Sequence, residues 1–189
     1  MPTPQDNGDP IQLYDYLGVG QTNQLWKVES IESDWVHLVC VASGKVLDAV
    51  APSVGSNGCL IQLWDNLGDD ESHYNQHWEI VSSGAAGAVF LICRASPGKV
   101  LDATLESVDQ NGCVVQLWDR FDPPHPNQTW KINSVGGGAN YISSADSGKV
   151  LDAKNEPDPP KPPSHPNPAC KWIWESDGMG GGSWVLQCG

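Results

Sequence analysis

Residues 43–65 read SGKVLDAVAPSVGSNGCLIQLWD, and residues 97–119 read PGKVLDATLESVDQNGCVVQLWD. The same landmarks fall in the same order. Asp48 precedes Trp64 by 16 residues, and Asp102 precedes Trp118 by 16. NQHW at 75–78 and NQTW at 127–130 follow them. SGKVLDA returns at 147–153 and places Asp152. A period of about 50 residues marks a chain built by stacking one small unit, because a single unit cannot bury its own apolar face.

The ends are less regular. Residues 9–26, DPIQLYDYLGVGQTNQLW, are the second half of a copy with no first half before it. The third copy begins well at YISSADSGKVLDAK but runs into NEPDPPKPPSHPNP, 155–168, a proline-rich insertion. CKWIWES at 170–176 and GSWVL at 182–186 then read as an eroded second half.

Within a copy, Val36–Cys40 and Val89–Cys93 are apolar runs and read as largely buried strands. SGK is a turn and KVLDA a short strand. CLIQLWD alternates with period two, so Leu60, Gln62 and Trp64 share one face while Ile61 and Leu63 share the other. NQHWEIV and NQTWKIN supply fourth strands. Four short strands in each of three copies predict an all-β fold with pseudo-threefold symmetry.

Composition agrees. Gly and Pro together make 35 of 189 residues, and only 17% are charged, which suits short strands joined by turns rather than a helical bundle. The net charge of −13 repels phosphate and argues against nucleic acid or anionic membrane as a partner. No apolar run of membrane-spanning length occurs. The first ten residues lack the basic and apolar regions of a secretion signal. A signal removed earlier is left open, and so is the compartment.

The LDA … IQLWD … NQxW series resembles the ricin-B-type, or QxW, β-trefoil lectins. The resemblance covers residues 10–154 well and 170–189 poorly. It implies a single β-trefoil domain over 1–189, with repeats at about 36–80, 89–132 and 140–189. It implies a non-catalytic lectin taking galactose or N-acetylgalactosamine on glycoproteins or glycolipids. By the same resemblance, the LDA aspartate takes two adjacent sugar hydroxyls, with the Gln and the aromatic of QLW beside it. The Asn of NQxW adds a further contact. One site would use Asp48, Gln62, Trp64 and Asn75, and a second Asp102, Gln116, Trp118 and Asn127. Gln76, Trp78, Gln128 and Trp130 would hold the fold.

Asp152 allows two readings. If residues 9–28 complete the third copy, Asp152 meets Gln12, Tyr14 and Asn23 in a third site and 170–189 is an appendage. If 36–189 is the trefoil instead, Trp172 stands where the glutamine should be and the third site is dead or altered. The first is preferred, since the N-terminal half fits the pattern better.

These residue types suit saccharides. A pyranose C–H face lies against an indole. A carboxylate accepts charge-assisted bonds from neighbouring hydroxyls, and an amide both donates and accepts. Such pockets are expected at the exterior, each weak and strengthened by multivalency. The local alternative is that the aspartates bond only nearby backbone beside a turn.

Other features are read more blandly. Cys40/Cys59 and Cys93/Cys113, 19 and 20 residues apart, and Cys170/Cys188 suit either disulfides within each unit or buried thiols. No CxxC spacing occurs, and no metal site and no cofactor are expected. His73 and His77 flank Asn75 and read as a solvated loop or as ligand contacts. Asp69, Asp70 and Glu71 read as a solvated acidic loop. A protease inhibitor acting through the 155–168 loop is the alternative function, and no catalytic signature is present. Tail tryptophans would suit a homodimer interface.

Overall fold

The computed structural model describes residues 5–154, together with the backbone of two further strands at 170–176 and 182–188. The protein is all-β. Its strands are β1 (Ile11–Tyr14), β2 (Trp26–Ser30), β3 (Trp35–Cys40), β4 (Val46–Ala49), β5 (Cys59–Trp64), β6 (Trp78–Ser82), β7 (Val89–Cys93), β8 (Lys99–Ala103), β9 (Cys113–Asp119), β10 (Trp130–Gly136), β11 (Ala139–Ser144), β12 (Val150–Ala153), β13 (Cys170–Ser176) and β14 (Gly182–Cys188). Among the described residues, helix is confined to 3-10 turns of three to six residues.

Strands β1 to β12 form one sheet, all within the compact unit 5–154. One pairing recurs three times. Asp48 on β4 lies opposite Gln62 on β5, Asp102 on β8 opposite Gln116 on β9, and Asp152 on β12 opposite Gln12 on β1. Residues 9–28 thus stand against the third LDA segment. Strands β13 and β14 pair with each other from Cys170↔Cys188 to Ser176↔Gly182 and make no part of the Asp152 pairing. They belong to a second unit. The proline-rich loop 155–168, on which the inhibitor alternative rests, lies outside the described residues.

The alternation read in CLIQLWD is realised: Cys59, Ile61 and Leu63 are buried, Leu60 is exposed, and Gln62 and Trp64 are half-buried. Inward residues from every copy make one core, including Leu13, Leu38, Leu47, Leu63, Leu91, Leu101, Leu117, Ile142 and Leu151. Three tryptophans anchor it. Trp26, Trp78 and Trp130 are wholly buried. Each indole N–H donates to a strand carbonyl, that of Leu151, Leu47 and Leu101, at 3.1, 2.9 and 3.0 Å. A buried carbonyl next to the LDA aspartate is satisfied in every copy by the same device.

One expectation needs correction. The NQ of NQxW is not strand: Asn23–Gln24, Asn75–Gln76 and Asn127–Gln128 end 3-10 turns, and the strand starts at the tryptophan. The reason is that both amide side chains bond inward, across to the aspartate, which an extended pair with alternating faces could not do. Of the two readings left open for the cysteines, the buried thiol holds at four positions. Cys40, Cys59, Cys93 and Cys113 are free and buried. Burial pushes all four thiols up, Cys93 to about 12.

Candidate functional site

Each aspartate receives three amide N–H groups. Asp48 Oδ1 accepts from Gln62 at 2.8 Å, and its Oδ2 accepts from Asn75 at 2.8 Å and Gln76 at 3.0 Å. Asp102 Oδ1 accepts from Gln116 at 2.9 Å, and Oδ2 from Asn127 at 2.9 Å and Gln128 at 3.0 Å. Asp152 Oδ1 accepts from Gln12 at 3.0 Å, and Oδ2 from Asn23 at 2.9 Å and Gln24 at 3.0 Å. The three sets are one construction repeated. Besides the residues read from sequence, the second amide of each NQ pair holds the carboxylate. Gln24, Gln76 and Gln128 also reach the carbonyls of Asp15, Asp65 and Asp119, each at about 3.0 Å.

The aspartates are not at the exterior, as the sequence reading expected. They are only 3, 3 and 5% exposed. Leaving water disfavours the charged form, so burial pushes the carboxyls of Asp48 and Asp102 up, against the opposing pull of their amide partners. A carboxylate has about four lone-pair places. In Asp48 and Asp102, Oδ2 accepts two of these bonds and Oδ1 one, so the Oδ1 edge is where a hydroxyl would enter. Asn75 donates to Asp48 and to the Ala49 carbonyl with the same nitrogen, so its remaining offer to a ligand is an acceptor oxygen. In the second set that oxygen already meets His125 Nδ1 at 2.6 Å.

Half-buried aromatics stand at matching places. Trp64 lies opposite Val46, Trp118 opposite Val100 and Tyr14 opposite Val150. Each is two residues beyond the glutamine and therefore on its face of the strand. Around this common frame the copies differ. Tyr16 stacks on Tyr141 at 4.3 Å. Phe121 meets His125 edge-on at 6.2 Å. Arg94 lies over Tyr74 at 3.7 Å.

Sequence reading missed a second repeated cluster beside each set. Lys99 Nζ donates to Asp119 Oδ1 at 2.8 Å and to Asn57 Oδ1 at 2.5 Å, and Asn57 Nδ2 donates to Asp119 Oδ2 at 2.9 Å. Lys45, Asp65 and Asn7 repeat this, as do Lys149, Asp15 and Asn111. The lysine ammonium holds the carboxyls of Asp15, Asp65 and Asp119 below the usual range. In every case the asparagine comes from the neighbouring copy. The glycine after it makes the turn: Gly58 and Gly112 have φ of 85° and 88°, and their N–H groups donate to the carbonyls of Leu117 and Leu13 in the next copy.

His77 is no solvated loop residue. It is wholly buried, with Nε2 on the Gly68 carbonyl at 3.2 Å and Nδ1 near Arg94 at 3.4 Å. His73 stands 3.8 Å from Asp70. Asp70 accepts from Ser72 N–H and starts the 3-10 turn, and Asp69 meets buried His37 at 3.1 Å. No helix among the described residues is long and apolar enough to cross a membrane.

The chain matches the family described as ricin-type beta-trefoil lectin domain-like, over residues 22–118 and again over 74–162. No curated protein matches the chain. Among solved structures it is similar to ThreeFoil, a designed 3-fold symmetric protein, at 28% identity and a TM-score of 0.58, over 67% of this chain and 81% of that one. An exo-beta-1,3-galactanase from Clostridium thermocellum aligns at 23% identity and a TM-score of 0.52, over 64% of this chain and 24% of its own. A mosquitocidal holotoxin aligns at 13% identity and a TM-score of 0.53, over 99% of this chain and 28% of its own. These last two likenesses concern the fold alone, and the chain spans only about a quarter of each protein.

Proposed function

The chain belongs to the ricin-type beta-trefoil lectin domain-like family, and from that premise we propose that it is a non-catalytic, multivalent carbohydrate-binding protein. Residues 5–154 are read as a β-trefoil made of three copies, the third assembled from β11, β12, β1 and β2. Residues 170–189 are read as an appendage. Each copy offers one site: the carboxylate of Asp48 or Asp102 at its Oδ1 edge, or that of Asp152, then the paired Gln62, Gln116 or Gln12, and an aromatic wall from Trp64, Trp118 or Tyr14. Asn75 and Asn23 add acceptor oxygens, while that of Asn127 is already engaged by His125.

The observation that carries the reading is a preorganised carboxylate beside a half-buried ring, built three times from the same residue types. Fixed amides orient the charge before any ligand arrives, so binding need not order it. The family resemblance suggests a galactose-type sugar, its neighbouring hydroxyls meeting the carboxylate and the amides while its C–H face covers the ring. Few contacts imply affinity of order millimolar per site, about −4 kcal/mol, raised by engaging several sites on one glycan.

The burial of the aspartates favours a second reading, in which they are only nodes tying the 3-10 turns to the strands. Aspartate truncation alone does not separate the two, because it would strand three amides and weaken the fold. The half-exposed aromatics do. A Trp64→Ala, Trp118→Ala, Tyr14→Ala triple variant is expected to keep its fold by circular dichroism and to lose galactose-inhibitable binding on a glycan array. Full retention of that binding by the folded triple variant sinks the site assignment.

A further inference from the structure

The first copy departs from the other two at three converging positions. Register fixes the correspondence: Val36 lies opposite Trp78, Val89 opposite Trp130, and Asn140 opposite Trp26. The following residue is therefore His37 in the first copy, Phe90 in the second and Tyr141 in the third. The residue before the tryptophan is His77, then Thr129, then Leu25. The segment from the QLWD aspartate to the NQ asparagine is two residues longer in the first copy, and it brings in Asp69. Two buried imidazoles and a carboxylate thus share one place where the other copies hold mainly apolar or uncharged side chains.

We propose that His37, His77 and Asp69 form a zinc(II) site. Their potential ligand atoms all lie within 4.8 Å of one another. His37 gives the clearest reason. Its Nδ1 is 3.3 Å from the Gln76 carbonyl and its Nε2 is 3.1 Å from Asp69 Oδ1. Both partners only accept, while a neutral imidazole carries one N–H. With that N–H given to Gln76, the Nε2 lone pair confronts a carboxylate, and a cation belongs between them. A ring N–H on a backbone carbonyl is the arrangement that orients metal-binding histidines. The 3.1 Å gap accommodates two zinc bonds of about 2.0–2.1 Å meeting at roughly 100°.

His77 completes the set by exchanging one of its two contacts, to Gly68 or to Arg94, for the metal. Arg94 is already engaged by Glu32 at 2.8 Å and the Tyr74 hydroxyl at 2.9 Å, which holds part of its charge away. Nitrogen ligands with one carboxylate suit zinc rather than calcium or magnesium, which take oxygen. Asp69 is exposed at its side chain, 65%, so the metal enters from solvent and keeps a fourth position for water. His37 and His77 are 40 residues apart in the chain, beyond any local ligand spacing.

The test is independent of sugar binding. Metal-stripped protein is titrated with zinc by calorimetry, and with cobalt(II) to read the ligand set by its visible spectrum. One zinc per chain is expected, with a tetrahedral cobalt spectrum lacking thiolate charge transfer and a raised unfolding midpoint. The His37→Phe, His77→Thr double variant, which installs the second copy's residues, is expected to lose all three. Asp69→Asn, a surface change that leaves the core untouched, is expected to weaken zinc by roughly tenfold or more. Zinc binding unchanged in Asp69→Asn, a thiolate-to-cobalt band, or wild-type protein that takes up no stoichiometric zinc would each overturn the proposal; the last would mean that a proton alone bridges His37 and Asp69.

Discussion

Asn57 and Asp119 lie in different copies of the repeat, and the Asn57 side-chain amide donates to the Asp119 carboxylate at 2.9 Å. The same asparagine oxygen accepts from Lys99 and from the Asp119 backbone N–H. Asn7 and Asn111 do this at the other two seams. The copies are joined by polar clamps as well as by the shared core.

Removing a clamp should therefore act on cooperativity between copies. Lys99 is the most buried of the three lysines, at 9% side-chain exposure against 12% for Lys149 and 17% for Lys45. A buried ammonium that loses one of its two partners, keeping only the aspartate, is costly in proportion to its burial. Asn57→Ala is expected to lower the urea midpoint most, Asn111→Ala next and Asn7→Ala least. A reversed order in urea titrations would mean that lysine burial does not govern these seams.

The three buried indoles give a matched series. Trp→Phe at 26, 78 or 130 removes an N–H from a buried carbonyl and leaves a small void. An unsatisfied buried group costs about 1–3 kcal/mol, and lost volume adds to it. Each single variant is expected to lose roughly 2–4 kcal/mol of unfolding free energy, with the three values close together. Widely scattered values would show that the copies are not energetically alike.

Acid should act on binding before it acts on the clamps. Burial raises the Asp48 and Asp102 carboxyls above the ordinary aspartate value of 3.8. The protonated form is thus favoured in the folded state. Stability from this source is present below the unfolded pKa and is lost as pH rises through the folded one. Asp15, Asp65 and Asp119 are lowered instead; their contribution is present above 3.8 and fades as pH falls through the lowered values. On acidification, glycan binding should weaken above pH 3.8 while the fold persists. Binding by surface plasmon resonance and folding by near-ultraviolet dichroism, followed together, would show one common transition if this is wrong.

Buried thiols should be chemically silent. Cys40, Cys59, Cys93 and Cys113 are buried, their thiols raised by desolvation, and the thiolate is the reactive form. Iodoacetamide is expected to leave these four unmodified in native protein and to label all four in urea, as read by peptide mass spectrometry. Native labelling at Cys93 would contradict its packing.

Much of the site was legible because its parts repeat. Asp48 and Gln62 are 14 residues apart, close enough for a strand–turn–strand reading to set them face to face, and their spacing returns at Asp102 and Gln116. The role of Gln76 was half visible: QxW marked it as holding the fold, but its bond to the aspartate needs the 3-10 turn, which the apolar pattern after it disguised as strand. Depth was the larger miss. An alternating strand tells which face a side chain takes, not how far a neighbouring turn covers it, so Asp48 read as exterior. The Asn57 clamp was hidden because its partners sit in the following copy, and in one case, Asn7 with Lys45, at the start of the chain. His37 and His77 were hidden by singularity, since a feature found in one copy leaves no period to detect.

Strand β1 finds its partner β12 about 140 residues further along. A ribosome adding roughly 5–20 residues per second takes on the order of ten seconds to cover that distance. Strand β9, which pairs with β1 at Gln12 and Leu13, is made sooner, but the full ladder of β1 from Ile11 to Tyr14 waits for β12. The third copy is therefore closed by segments from far apart in the chain, and it is the copy completed last as the chain is made.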